Sequence, residues 1–149
     1  MRDWKPSVVE TSTASDNIHT VSVPPRERWH IMSIWASLAT SNAGANVRQM
    51  RLAIYNSSGA AATDLFLEAR PGLTQDSSLT YYYNFYPGAA DITSVRDTDY
   101  VSTPIPATLI LSPGWTIILE DESSGDTDAD DLKSKVFYQM TRILGSSSD

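Results

Sequence analysis

The chain contains no cysteine, which removes disulfides, thiolate metal ligands and thiol nucleophiles together. Histidine is almost as scarce: His19 and His30 are the two, and neither belongs to a zinc pattern such as H-E-x-x-H. The seven glycines form neither a dinucleotide-binding G-x-G-x-x-G nor a P-loop. Serine is abundant, but no G-x-S-x-G elbow is present to raise one as a nucleophile. Charge is thin as well, at 19% of 149 residues. Eleven Lys and Arg stand against eighteen Asp and Glu, a net charge of −7, so the clustered cations that grip phosphate are missing and no nucleic-acid partner is expected. No apolar run reaches the ~18 residues of a membrane-spanning helix. The first residues, Met1-Arg2-Asp3-Trp4-Lys5-Pro6, lack the apolar core of a secretion signal.

What remains is a polar, weakly charged chain with 41% hydrophobic residues. A domain of this length buries roughly 68–70% of its unfolded surface and needs no crosslink or metal to hold a core. Two-residue alternation dominates it. In residues 29–38, Trp29, Ile31 and Trp35 share one face and Met32, Ile34 and Leu38 the other, which predicts a strand covered on both sides. Pro24-Pro25 separates it from a strand over 18–23. After the turn residues 41–46, the segment 47–56 puts Met50, Leu52 and Ile54 on one side and Gln49, Arg51 and Tyr55 on the other, predicting a hairpin with the strand before it. Residues 60–70 suit a short helix or a strand equally. Residues 79–87 alternate again, with Tyr81, Tyr83 and Phe85 against Tyr82, Asn84 and Tyr86. Residues 89–106 read as an irregular connection. Leu109-Ile110-Leu111, the turn Ser112-Pro113-Gly114-Trp115 and the run from Thr116 predict strand, turn and strand. An acidic loop over 121–131 precedes a last strand over 136–143.

Eight such segments with at most one short helix predict an all-β, antiparallel two-sheet sandwich or jelly roll. It is expected at residues 17–144, before a frayed tail at 145–149. Candidate chemistry is sparse. Asp126, Asp128 and Asp130 are spaced like the first ligands of a calcium loop. However, Asp131 stands where that loop needs Gly and Phe137 where it needs the bidentate Glu, so a solvated acidic turn is expected. Most other acids, including Asp64, fall in predicted turns rather than in a glycosidase-like pair. No metal, cofactor or catalytic residue is assigned. The interface candidates are Trp4, a lone aromatic in a polar segment, and Tyr82 and Tyr86, which would project from the strand face opposite Tyr81.

Two blocks carry a resemblance. Pro25-Arg26-Glu27-Arg28-Trp29-His30-Ile31-Met32-Ser33-Ile34 followed by Gly44-Ala45-Asn46-Val47-Arg48-Gln49-Met50-Arg51-Leu52 resembles the opening of small tailed-bacteriophage virion proteins, with Val47 inserted in their Asn-Arg-Gln pattern. Leu109 to Trp115, with Ile117 and Asp121, is similar to the penultimate hairpin of that group. The resemblance implies a jelly-roll structural protein of the virion, first of all a capsid decoration (cement) protein. It would be a homo-oligomer, with a trimer favoured, that binds the major capsid protein. The resemblance also implies an extended N-terminal arm at residues 1–16, with Trp4, Val8 and Val9, clamping neighbouring subunits. Such a protein is assembled in the bacterial cytoplasm and has no catalytic residues. A minor neck or tail component is the neighbouring possibility. A carbohydrate- or receptor-binding β-sandwich using Tyr82, Tyr86 or Trp115 is the alternative from a different class.

Overall fold

The computed structural model describes residues 4–13, 18–40, 46–48, 50–56, 63–68, 73–75, 80–89, 100–121 and 131–144. In chain order these form β1 (Lys5–Thr13), β2 (Ile18–Ser22), β3 (Glu27–Ala39), β4 (Asn46–Arg48), β5 (Met50–Tyr55), β6 (Thr63–Glu68), β7 (Leu73–Gln75), β8 (Thr80–Pro87), β9 (Tyr100–Ile105), β10 (Ile110–Leu111), β11 (Thr116–Asp121) and β12 (Asp131–Arg142). No helix occurs among the described residues. One sheet has six strands, in the order β1-β12-β3-β8-β9 with β10 also on β3. The second has four, in the order β2-β11-β5-β6, and β4 and β7 make a separate pair.

The eight principal strands wrap as one folded-over ribbon. The first pairs with the last (β1 with β12), then β2 with β11, β3 with β8 and β5 with β6. The ribbon is closed laterally by β12 on β3 and β11 on β5. That wrapping is a jelly roll. Its core lies between the two sheets: Trp29, Ile31, Ile34, Leu38, Phe85, Leu132 and Val136 from the six-stranded side meet Met50, Leu52, Ile54, Ile117 and Leu119 from the other.

Several local expectations change. Trp35 is half-exposed and Met32 exposed, so β3 is covered on one face, not two. The cause is a register shift against β12: Phe137 faces Ser33 but Tyr138 faces Ile31, leaving Met32 as an extra residue. This bulge flips the phase of alternation, so Trp29 and Ile31 before it and Ile34, Ala36 and Leu38 after it all point inward. β3 and β5 do not form a hairpin; they lie in different sheets. The same holds for β10 and β11, whose turn carries the chain from one sheet to the other. Within 60–70 the described stretch is strand β6, which also contains Asp64. The supposedly irregular 89–106 contains β9, parallel to β8 at the sheet edge, where Pro104 is tolerated because no further strand needs its N–H. Residues 5–13, expected within an arm, are a full strand in register with β12 from Lys5 opposite Met140 to Thr13 opposite Leu132.

Two turns are stitched together at one end. Trp115 N–H donates to the Ser112 carbonyl at 3.1 Å around Gly114, whose φ of 81° is the left-handed value this turn requires. Glu27 N–H closes the equivalent turn on the Pro24 carbonyl at 3.2 Å, but there Arg26 holds the left-handed position, at φ 67°. Gly114 N–H donates to Val23 O at 2.9 Å and Val23 N–H to Trp115 O at 2.8 Å, which binds the two turns to each other.

Candidate functional site: the outer face of the six-stranded sheet

Alternation decides which side chains reach this face. On β1, β3, β8 and β12, the residues between the inward-pointing Val9, Ile34, Phe85 and Val136 turn outward. Cross-strand rows follow from the register. One row runs Glu10, Lys135, Trp35, Asn84; the next runs Lys133, Ser37, Tyr82, Tyr100. Trp35 is 50% exposed and Tyr82 51%, large values for aromatic side chains on a sheet. Trp35 leans on Phe137 with ring centroids 5.6 Å apart and a 59° tilt. Asn84 Nδ2 donates to the Tyr100 hydroxyl at 3.1 Å, which holds Tyr100 beside Tyr82. Lys135 Nζ lies 3.0 Å from Glu10 Oε1, both well exposed.

These rows enclose an open groove of about 450 Å³, lined by Glu10, Trp35, Ser37, Tyr82, Lys133 and Lys135 among others. Its floor is low because Ser37 is the small residue between Lys133 and Tyr82. With strands spaced about 4.8 Å, the two flanking backbones stand about 10 Å apart.

The interface residues named from sequence are not brought to one place. Tyr82 forms a wall of the groove. Tyr86, four residues further along β8 and about 13 Å away on an extended strand, is half-buried. Val8 is exposed on β1, whereas Val9 turns inward and packs on the core. Trp4 lies at the far end of the face, edge-on to His30 at 6.0 Å and 71°. Trp115 packs against the core. Sequence reasoning missed Trp35 and Met32 because it ran one alternation through the bulge. It missed Tyr100 because β9 was read as loop, although Val101, Thr103 and Ile105 alternate there.

The remaining polar groups serve structure. His19 is buried, and its Nδ1 shares a 2.8 Å hydrogen bond with Ser134 Oγ between the sheets. Trp29 Nε1 donates to Glu27 at 2.8 Å and its ring stacks on Tyr138 at 3.8 Å. Burial raises the Tyr138 pKa above its ordinary value; the Glu27 charge adds to this and a hydrogen bond with Ser7 opposes it. Among the described residues no three His, Asp or Glu side chains converge as metal ligands. The calcium-like aspartates 126, 128 and 130 lie outside the described residues.

No protein-family model matches the chain, and no curated protein sequence does. Among solved structures it is similar to a chain of nora virus, at 10% identity and a TM-score of 0.35 over 99% of this chain. A chain of the infectious bursal disease virus subviral particle matches at 14% identity and 0.35 over 95%, and one from the naturally empty top-component particles of cowpea mosaic virus at 10% and 0.31 over 96%. The chain spans 59% of the nora virus chain, 34% of the bursal disease virus chain and 90% of the cowpea mosaic virus chain. The jelly-roll assignment rests on the strand order itself.

Proposed function

We propose that the chain is a non-enzymatic structural protein of a bacteriophage virion, a capsid decoration (cement) protein that associates with copies of itself as a trimer and with the major capsid protein. The observation that carries this reading is the one-sidedness of the surface. Among the described residues eight large apolar side chains are exposed, and six of them lie on the outer face of the six-stranded sheet: Val8, Met32, Trp35, Tyr82, Tyr100 and Ile110; the others are Ile18 and Leu144. Concentrated apolar exposure of this kind marks a surface that meets another macromolecule. The resemblance of residues 25–34 and 44–52 to tailed-phage virion proteins supplies the setting. The end of the face near Trp4, Val8, Met32 and Ile110 is the part assigned to the lattice, because it joins the N-terminal segment to an apolar cluster.

Native mass measurement and co-sedimentation with emptied phage heads test the proposal. A trimer that pellets with the heads is the expected result. A monomer left in the supernatant overturns it.

A further inference from the structure

We infer that the groove at the other end of this face is a binding site for an acidic saccharide, a sugar ring carrying a carboxylate. The groove's composition selects that chemistry. Trp35 and Tyr82 are half-exposed aromatic side chains at diagonal positions on adjacent strands, Trp35 opposite Asn84 and Tyr82 opposite Ser37. Such aromatic faces suit the C–H face of a pyranose, which is apolar although its rim is hydroxylated. Between Tyr82 and Lys133 the small Ser37 leaves a gap about 10 Å wide between backbones, enough for one ring lying flat on the sheet. The volume of about 450 Å³ falls within the ~300–1,000 Å³ of ordinary small-ligand sites.

The charge pattern narrows the ligand further. In a chain with net charge −7, this groove gathers two lysines and one carboxylate. Glu10 is taken up by Lys135 at 3.0 Å, while Lys133 makes no ion pair among the described residues. A ligand with one carboxylate completes that arrangement; a neutral sugar does not. A protein anchor would favour a deep socket, whereas this groove is shallow and open, with Ser37 at its floor and Glu10, Lys133 and Lys135 along one side. The site is independent of the lattice contact proposed above, which uses the opposite end of the face.

The test is a glycan array carrying sialylated, uronate-bearing and neutral glycans, followed by titration with sialyllactose and with lactose. Binding to an acidic class, at least tenfold stronger than to its neutral counterpart and weakened in 0.5 M salt, is expected. Lys133→Gln should erase the acidic preference, and Trp35→Ala and Tyr82→Ala should each weaken binding tenfold or more. Lys133→Gln, which lies outside the exposed apolar set, should still sediment with heads, and all three variants should keep a cooperative melt, which separates loss of this site from loss of assembly. Tyr82→Phe keeps the ring and should retain binding, guarding against a folding artefact. An array blank for every acidic glycan overturns the inference, as does neutral binding of equal strength or acidic binding that Lys133→Gln leaves unchanged.

Discussion

The two sheets of this jelly roll share one core but turn different surfaces outward. The six-stranded sheet exposes Trp35, Tyr82, Tyr100, Val8 and Met32. The four-stranded sheet presents Thr20 and Ser22 on β2, Thr116 and Glu120 on β11, and Arg51 and Tyr55 on β5. Its polar groups are matched within the sheet: Arg51 Nη1 sits 3.4 Å from Glu120 Oε1, and Ser22 and Thr116 hydroxyls are 3.2 Å apart. Among the described side chains of that face, Ile18 is the one large apolar group exposed, whereas the several exposed rings of the aromatic face carry a hydrophobic cost that a partner or ligand would relieve. The difference teaches where the proposed recognition belongs: the shared interior holds the fold together, and the exposed aromatic side chains gather on one exterior.

Four measurements would break or sharpen this contrast. The largest effect separates inside from outside on a single strand. Phe85→Ala on β8 should destabilise by about 3–5 kcal/mol, because it empties a fully buried site. Tyr82→Ala, three residues earlier and outward, should cost no more than about 1 kcal/mol. Denaturant titration of both variants decides; equal losses would mean that the outer face is packed like a core. Next, charging the lattice end with Met32→Asp and Ile110→Asp should weaken head binding by about 2 kcal/mol or more, as for loss of a hot spot. The pair Thr20→Asp and Ser22→Asp on the other face should leave co-sedimentation intact.

Alkali probes the interior of the six-stranded sheet. The folded state holds Tyr138 protonated beyond the unfolded pKa of 10.0, so the stabilisation it confers is present below that pH. As pH rises past 10 the unfolded chain releases this proton first, and stability falls; Tyr138→Phe should flatten that part of the curve. The smallest effects belong to the ion pairs. Arg51→Ala and Lys135→Ala should each change stability by about 0–1 kcal/mol, since both pairs are accessible to solvent. Only the second should alter saccharide binding, through release of Glu10 in the groove.

Much of the fold was legible because alternation is a local property. Met50, Leu52 and Ile54, or Tyr81, Tyr83 and Phe85, declare a buried face from spacing alone, and the structure buries them. The strands β2, β3, β5, β8 and β11 could be found this way, and eight strand-like segments separated by turn signals pointed to the sandwich. Tyr82 was legible as lying on the face opposite Tyr81, but alternation alone does not say whether that face is covered. Trp35 was not, because a single extra residue at Met32 inverts the phase, and nothing in the local sequence marks the inversion. Its partners in the groove, Lys133 on β12 and Tyr82 on β8, lie far away in the chain.

By itself, then, the sequence determined the all-β class, the inward and outward identity of most strand residues, and the absence of thiol and zinc-motif chemistry. These depend on residue type and a period of two. Tertiary structure decided which strands are neighbours: that β3 and β5 part into different sheets, that β10 and β11 do likewise, and that residues 5–13 join the sheet beside β12. Pairing is settled by how apolar faces from distant segments fit over one core, a non-local energy that short-range patterns do not encode. The aromatic groove is a product of that pairing, since its walls come from β1, β3, β8 and β12 and meet only once the ribbon has wrapped.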